Sequence, residues 1–371
     1  MISCEVFFET LKNEDIEFFT GVPDSLLSSL SAWLIANTPK QHVIAANEGN
    51  AVGLAAGYHL ATGKIPVIYM QNSGIGNTVN PVASLLHKDV YQMPALLIVG
   101  WRGEPGVHDE PQHVFQGKAT ISMLEAMDVP ATVLERDWET AKVQLLEVID
   151  RIRSTGTPQA LVIHKDTFAP VPFAKKQTGY PLSREQALKI VTEEMLPDSR
   201  IVSTTGKLSR ELFEIREARQ EGHEQDFLTV GSMGHASSIA MGVAMHTQKP
   251  VYCLDGDGAV IMHMGAMAVL GQSGISNLKH ILFNNGCHES VGGQPTVGMD
   301  VDIAQVALGC GYEKVYTCTT EAELREAMQS INQAARMQLV QVLVNADSRK
   351  DLGRPTISSH ANKENFMNSF H

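Results

Sequence analysis

Two groups of oxygen-bearing side chains follow neighbouring apolar runs in the second half of the chain. The first run ends in DGDG, which contains Asp257, and the second ends in NNG, which contains Asn284 and Gly286. Because the carboxyl ends of parallel strands meet at one edge of a sheet, we expect these groups to lie together. The Asp257 carboxylate, the Asn284 amide oxygen and the Gly286 carbonyl are hard ligands that suit Mg²⁺ bound to phosphate. Gly256 and Gly258 let backbone amides approach a diphosphate at a helix start.

DGDG also allows other interpretations. The sequence by itself is typical of a simple turn. An EF-hand calcium loop starting at Asp255 needs a bidentate glutamate at its twelfth position, which is Ala266 here. A dinucleotide fingerprint needs GxGxxG, which is absent from this stretch. The second polar group, at the end of the next apolar run, favours the metal–diphosphate interpretation over a turn.

The first half of the chain carries a second candidate, in the sequence NEGNAVGLAAGY. This sequence places Glu48 between a short strand and a helix of small residues. An acid at a helix start is also typical of plain stabilisation by the helix dipole. Combined with the metal motif downstream, Glu48 is a candidate catalytic carboxylate.

GDG followed, after a helix, by NN resembles the metal–diphosphate motif of thiamine diphosphate-dependent enzymes. The resemblance implies that Asp257, Asn284 and the Gly286 carbonyl bind Mg²⁺, which holds the diphosphate of thiamine diphosphate. Glu48 is similar to the family's catalytic glutamate, which shares a proton with the aminopyrimidine ring of the cofactor. Met233 sits where the family places an apolar wedge beneath the cofactor, although core packing is the ordinary role of a methionine. The resemblance adds further cofactor-binding residues: Glu48, Gly206, Gly231, Ser232, Met233, Gly256, Gly258 and Ala259.

The order of motifs along nearly the whole chain resembles the phosphonopyruvate decarboxylase family, to which sulfopyruvate decarboxylases are close. The sequences that carry this resemblance include GVPDSLL, QNSGIGNTVNP, TTGKLSRELFE and DLGRPT. The resemblance implies decarboxylation of 3-phosphonopyruvate to phosphonoacetaldehyde in phosphonate biosynthesis. Decarboxylation of sulfopyruvate is the alternative reaction, because sulfonate and phosphonate are both tetrahedral anions. A catalytically silent subunit of the same fold is a third possibility, against which the intact motifs argue.

A substrate with two anionic groups requires local positive charge and hydrogen-bond donors. Arginine suits bidentate contacts with a phosphonate, whereas lysine acts as a point charge. His113, beside Gln112, resembles the paired polar residues that the family places near the keto group, and its protonation near neutral pH would suit proton transfer. Each basic candidate has a solvated surface position as its alternative. The substrate candidates are Ser25, Asn72, Arg102, His108, Lys207 and Arg354.

Composition limits the partners of the protein. The 371 residues include 41 acidic and 29 basic ones, for a net charge of −12, which disfavours nucleic acid and anionic membranes as partners. The five cysteines form no CxxC pair, which disfavours a disulfide framework or a structural zinc site. No apolar stretch reaches the roughly 18 residues of a membrane span, and the start lacks a signal-peptide pattern. We therefore expect a cytoplasmic protein that binds a small-molecule substrate.

Apolar strands alternate with helical periods through both halves of the chain, which indicates α/β domains with doubly wound parallel sheets. A segment with Pro170 and Pro172 interrupts this alternation, as a linker does. We therefore predict one domain at 1–168, a linker at 169–182 and a second domain with a polar C-terminal tail at 183–371. The resemblance implies that both domains have the thiamine diphosphate-binding fold, and that the first is the pyrimidine-binding domain and the second the diphosphate-binding domain. The resemblance implies that one chain's pyrimidine domain meets another chain's diphosphate domain, and hence a homodimer or higher homo-oligomer.

Overall fold

Each half of the chain contains one six-stranded sheet in which all strands are parallel. A computed structural model describes residues 1–371, and the chain divides into the units Met1–Ala174 and Lys175–His371. The prediction of two doubly wound parallel-sheet domains is confirmed. Residues 169–182 contain no helix or strand, and their assignment as the linker stays a prediction.

The first unit orders its strands β2-β1-β3-β4-β6-β5. The strands are β1 (Phe19–Gly21), β2 (His42–Ile44), β3 (Val67–Gln71), β4 (Leu96–Gly100), β5 (Ala131–Leu134) and β6 (Gln159–Ile163). The helices are α1 (Cys4–Asn13), α2 (Ser28–Asn37), α3 (Glu48–Thr62), α4 (Ile75–Pro81), α5 (Pro111–Ala126) and α6 (Trp138–Thr155). A 3₁₀ turn (Asn72–Gly74) precedes α4, and a π-helical turn (Val82–Leu86) follows it.

Helices on both faces explain why the central strands of this unit are continuous apolar runs. Side chains alternate between the faces of a sheet, so Val67 and Tyr69 join one buried cluster while Ile68 and Met70 join another. The first cluster includes residues of α1, α2 and α6, and the second includes residues of α3 and α5. A strand buried on both sides has no position for a polar side chain facing water.

The second unit orders its strands β13-β14-β10-β9-β7-β8. The strands are β7 (Arg200–Ser203), β8 (Asp226–Leu228), β9 (Val251–Gly256), β10 (Leu278–Asn284), β13 (Lys314–Cys318) and β14 (Gln338–Leu343), with a separate antiparallel pair of β11 (Cys287–His288) and β12 (Gln294–Pro295). The helices are α7 (Arg184–Glu194), α8 (Lys207–Ala218), α9 (Ala236–Ala244), α10 (Asp257–Met262), α11 (Gly265–Gln272), α12 (Ile303–Cys310), α13 (Glu321–Asn332) and α14 (Ser359–Asn368), and a 3₁₀ turn (Glu289–Val291) follows β11.

The two sheets have the same topology. Counted from the first strand of each unit, both run 2-1-3-4-6-5. In such a sheet the connections leave in opposite directions on either side of the boundary between strands 1 and 3, which opens a crevice at their carboxyl ends. The fold therefore places one ligand crevice beyond β1 and β3, and a second beyond β7 and β9.

The polar C-terminal region ends in α14, a helix that the sequence prediction described only as a tail. The Asn362 side chain accepts the Leu228 N–H at 3.0 Å and donates to the Asp226 carbonyl at 2.7 Å. Phe366 is buried and its ring lies 5.6 Å from that of Phe227. The helix thus docks along β8, the edge strand, through one amide and one aromatic ring.

All five cysteines are free thiols. None of the helices combines the length and apolarity that a membrane span requires.

Candidate functional site

Asp257 and Asn284 converge at the carboxyl ends of β9 and β10, which are paired strands. Asp257 begins α10 and Asn284 ends β10, and their exposed fractions are 2% and 0%. A Cβ atom built on Gly298 would lie 2.6 Å from Asp257 Oδ2 and 3.0 Å from Asn284 Oδ1. The two proposed ligand oxygens therefore border the same small space, which is open because residue 298 is a glycine.

The chemistry of this donor set fits a small divalent cation. Burial raises the pKa of Asp257 to about 6, against hydrogen bonds from Thr296 and from the Asn285 backbone that lower it. A buried carboxylate needs a compensating charge, and hard oxygen donors are what Mg²⁺ prefers. The third predicted ligand, the Gly286 carbonyl, accepts the Thr296 N–H at 3.0 Å. Gly286 has φ +67°, a left-handed conformation that favours glycine.

Met233 meets the diphosphate motif at Gly258. A Cβ on Gly258 would lie 3.2 Å from Met233 Cε and 3.0 Å from the ring of His288. The backbone at Gly258 is thus approached closely by both side chains. Ser232, the residue before Met233, has φ +51°. This left-handed conformation costs on the order of 1 kcal/mol or more and is enriched at functional sites.

His288 is a residue that the sequence interpretation overlooked. It follows NNG by two positions, and burial lowers its pKa to about 4, so it is neutral at pH 7. The signal was present in NNGCH, but a lone histidine after a turn has no spacing partner that would distinguish it from a surface residue.

The other predicted cofactor residues line the starts of α8, α9 and α10. Gly206 has φ +100°, and a Cβ there would lie 2.5 Å from Ser290 Oγ. This position therefore requires glycine both for its conformation and for space. Gly256 is partly buried before α10 and Ala259 is buried within it, while Gly231 is partly buried in the loop before α9.

Lys207, a predicted substrate ligand, is held in a charge network around Glu289. Its Nζ donates to Glu289 Oε1 at 3.0 Å and to Ser348 Oγ at 2.6 Å. Glu289 also accepts from Arg184 at 2.7 Å, and Arg184 binds Glu211 through two nitrogens. Burial acts to raise the Glu289 pKa, but Arg184 and Lys207 lower it to about 2.

A Glu289→Gln variant should be destabilised by about 3 kcal/mol at pH 7, because it leaves Arg184 buried with one charged partner fewer. Since the folded pKa lies below the ordinary value of about 4.3, the ionised form stabilises the fold above that value. The stabilisation is lost as the pH falls towards 2. Urea unfolding of both proteins at pH 7 and pH 3.5 should show the difference shrinking at the lower pH. Glu326→Gln, on the exposed face of α13, is the control, and its free energy of unfolding should equal that of wild type at both pH values.

In the first unit, Glu48 begins α3 directly after its N-cap, Asn47. Glu48 is 6% exposed, and Asn77 Nδ2 donates to its Oε2 at 2.7 Å. A Cβ on Gly74 would collide with the Glu48 carboxylate. The absence of a side chain at Gly74 therefore makes room for the carboxylate at the crevice end of β3.

Two of the predicted substrate residues, Arg102 and Ser25, contact each other beyond the ends of β4 and β1. Arg102 donates to Asp109 Oδ2 at 2.7 Å and to Ser25 Oγ at 2.8 Å. Burial alone would raise the pKa of Asp109, but Arg102 and the Gly103 N–H lower it to about 2. Asp109 thus stays ionised and fixes the guanidinium next to Ser25.

His113 lies near Arg102 but differs from the expectation of a protonated imidazole. It is 9% exposed, and its Nδ1 has no hydrogen-bond partner. Burial and the charge of Arg102 lower its pKa from the ordinary value. The neutral ring therefore predominates near neutral pH, with one nitrogen available to a ligand.

The remaining predicted substrate residues are Asn72, His108 and Arg354. Asn72 uses both ends of its amide to support the chain, because it donates to the Arg102 carbonyl at 2.7 Å and accepts the Arg102 N–H at 3.2 Å. Asn72 therefore supports the Arg102 backbone, and its contact with the substrate stays a prediction. His108 is exposed in the loop before α5, and Arg354 is exposed between β14 and α14.

Asp24 is a second residue that the sequence interpretation did not select. Its side chain is fully buried, its Oδ2 accepts the Leu26 N–H at 3.0 Å, and its Oδ1 has no partner. Burial raises its pKa to about 6, against the charge of Arg102. A Cβ on Gly100 would collide with this carboxylate. The GVPD sequence indicates a turn, and nothing within it signals that a residue on β4 makes room for the acid.

Comparison with known proteins assigns both halves of the chain. Residues 3–124 match the N-terminal TPP binding domain of thiamine pyrophosphate enzymes, and residues 204–342 match their C-terminal TPP binding domain. The chain is 33% identical over 354 residues to a phosphonopyruvate decarboxylase of Streptomyces viridochromogenes, covering 91% of this chain and 87% of that protein.

Two further relatives also align along nearly their full length. A phosphonopyruvate decarboxylase of Streptomyces hygroscopicus is 31% identical over 376 residues, with 97% of this chain and 92% of the relative covered. A sulfopyruvate decarboxylase of Methanosarcina acetivorans is 27% identical over 365 residues, with 92% and 90% covered.

Proposed function

Because the chain belongs to the phosphonopyruvate decarboxylase family of thiamine pyrophosphate enzymes, we propose that it decarboxylates 3-phosphonopyruvate to phosphonoacetaldehyde and CO₂. The observation that carries this proposal is the similarity across both domains to the two phosphonopyruvate decarboxylases. The buried carboxylate of Glu48 and the converging oxygens of Asp257 and Asn284 support it. The proposed pathway is phosphonate biosynthesis.

The proposed cofactors are thiamine diphosphate and Mg²⁺. Asp257, Asn284 and the Gly286 carbonyl would hold the metal, and the glycines at the start of α10 would allow backbone amides to bind the diphosphate. When bound, thiamine diphosphate supplies the carbon nucleophile and the electron sink for decarboxylation of a 2-keto acid. Glu48 is the acid–base group of the site, and burial excludes most water from its carboxylate.

We propose that fixed cations bind the anionic groups of the substrate. Arg102 is the main candidate, because Asp109 orients it and Ser25 extends its row of donors. Lys207 contributes charge, although Glu289 already neutralises part of it. His113 acts as a neutral hydrogen-bonding group through its unpaired Nδ1.

Decarboxylation of sulfopyruvate is the second candidate function, favoured by the full-length similarity to the Methanosarcina acetivorans protein. A substrate panel separates the two. With thiamine diphosphate and Mg²⁺ present, CO₂ release should be fastest from 3-phosphonopyruvate and slower from sulfopyruvate and pyruvate. Faster turnover of sulfopyruvate would move the assignment to the second reaction. Absence of cofactor binding by calorimetry would instead support a catalytically silent subunit.

The proposed assembly is a homo-oligomer in the cytoplasm, with each site completed by a second copy. One face of α3 is uncovered in the chain, where Cβ atoms on Gly53 and Gly57 would meet nothing and Leu54 is 40% exposed. A mixture of Glu48→Gln and Asp257→Asn chains, refolded together, should regain activity that neither variant has alone, since a shared site combines intact halves. A mixture as inactive as its components would contradict a shared site.

A further inference from the structure

One short segment contacts every ligand proposed for Mg²⁺. The segment comprises residues 296–298 and is called here the ligand-support segment. The Thr296 N–H donates to the Gly286 carbonyl at 3.0 Å, and the Thr296 hydroxyl donates to Asp257 Oδ2. Two of the three proposed ligands therefore have their oxygens oriented by a single residue.

The third ligand is oriented by the other end of the same segment. Asn284 Nδ2 donates to the Gly298 carbonyl at 2.6 Å, and Asn284 Oδ1 accepts the Gly286 N–H at 3.1 Å. An amide side chain can flip its nitrogen and oxygen unless its neighbours distinguish them. The Gly298 carbonyl accepts only from the amide nitrogen, and the Gly286 N–H donates only to the amide oxygen. Together they fix Asn284 Oδ1 on the side that Asp257 borders.

The ligand-support segment is itself held in place. It continues from β12, which pairs with β11 directly after the Gly286 turn. The Gly298 N–H donates to Thr296 Oγ1 at 3.1 Å, so this hydroxyl joins both ends of the segment. Asp257 and Asn284 leave no space for a Cβ at Gly298. The segment therefore packs on the ligands as a fixed surface.

We propose that Thr296 is a positioning residue for the metal–diphosphate site. Thr296 holds Asp257 and, through Gly298, Asn284 in the orientation that binds Mg²⁺. This inference rests on the proposed function. Groups that orient metal ligands typically contribute about 10- to 100-fold in metal affinity. The hydroxyl of Thr296 is the part that acts, because it is both the donor to Asp257 and the acceptor from Gly298.

The test compares Thr296→Val, which keeps the branched shape and removes the hydroxyl, with Thr296→Ser, which keeps the hydroxyl. Thiamine diphosphate binding to the full-length protein is followed by calorimetry while Mg²⁺ is titrated. The valine variant should need about 10- to 100-fold more Mg²⁺ for half-saturation, and the serine variant should remain close to wild type. Thr317→Val, at an exposed position of β13, is the control and should bind as wild type does.

Gly298→Ala provides an independent variant, because its Cβ would press on Asp257 Oδ2, and it should also raise the Mg²⁺ requirement. Thermal unfolding of the metal-free proteins checks that each variant is folded. Wild-type Mg²⁺ dependence in a folded Thr296→Val variant would overturn the positioning role while leaving the proposed function intact. A wild-type protein that binds no thiamine diphosphate would overturn both.

Discussion

Glu48→Gln should abolish nearly all decarboxylation while thiamine diphosphate still binds. Glutamine has the same shape and keeps an oxygen to accept the Asn77 amide, which now lies 2.7 Å from Glu48 Oε2. What it loses is the ability to hold and release a proton. We expect turnover of 3-phosphonopyruvate to fall by about 10²- to 10⁴-fold, the range typical of general acid–base groups.

The measurement pairs steady-state CO₂ release with calorimetry of cofactor binding. Glu125→Gln is the matched control, because Glu125 is an exposed acid of the same unit, and its activity should equal that of wild type. A Glu48→Gln variant with full turnover would remove Glu48 from catalysis. A variant that neither binds cofactor nor keeps its thermal stability would indicate that Glu48 is needed for the fold instead.

Asp257→Asn should remove Mg²⁺-dependent cofactor binding. Asparagine can still accept the Thr296 hydroxyl, so the surrounding hydrogen bonds survive. The charge that attracts the cation to a fully buried position is lost. Since changes to groups that only orient a ligand cost about 10- to 100-fold in metal affinity, loss of a direct anionic ligand should cost more than ~100-fold.

This result is measured by titrating Mg²⁺ at fixed thiamine diphosphate and following heat release. Asp300→Asn is the control, because Asp300 is exposed just beyond the ligand-support segment. The metal-free Asp257→Asn protein should be no less stable than wild type, since burial disfavours the charged carboxylate that the substitution removes. Unchanged Mg²⁺ dependence would place the metal elsewhere.

The central strands were predictable because they carry uninterrupted apolar residues. β3, β4, β9 and β10 are buried along nearly their whole length, so their patterns stand out in the sequence. β5 and β8 lie at sheet edges, where one side is less protected and the apolar run is short. β8 even begins with an aspartate, Asp226.

Site residues divide in a similar way. Asp257, Asn284 and Glu48 can be predicted because each lies in a recognisable local sequence, and their catalytic and ligand roles stay predictions. Asp24 and Thr296 have no such local signal. Asp24 depends on the missing side chain of Gly100, and Thr296 acts on Asp257 and Gly286 from a later loop. Contacts of this kind, made by residues that lie in no recognisable motif, cannot be deduced from spacing along the chain.

α14 covers the open edge of the second sheet. An open sheet edge is a template for pairing with another chain, and proteins protect such edges by covering them. Asn362 satisfies the Leu228 N–H and the Asp226 carbonyl of the edge strand, and Phe366 shields its apolar face. α14 therefore covers the edge strand and leaves fewer of its backbone groups open to pairing with another chain.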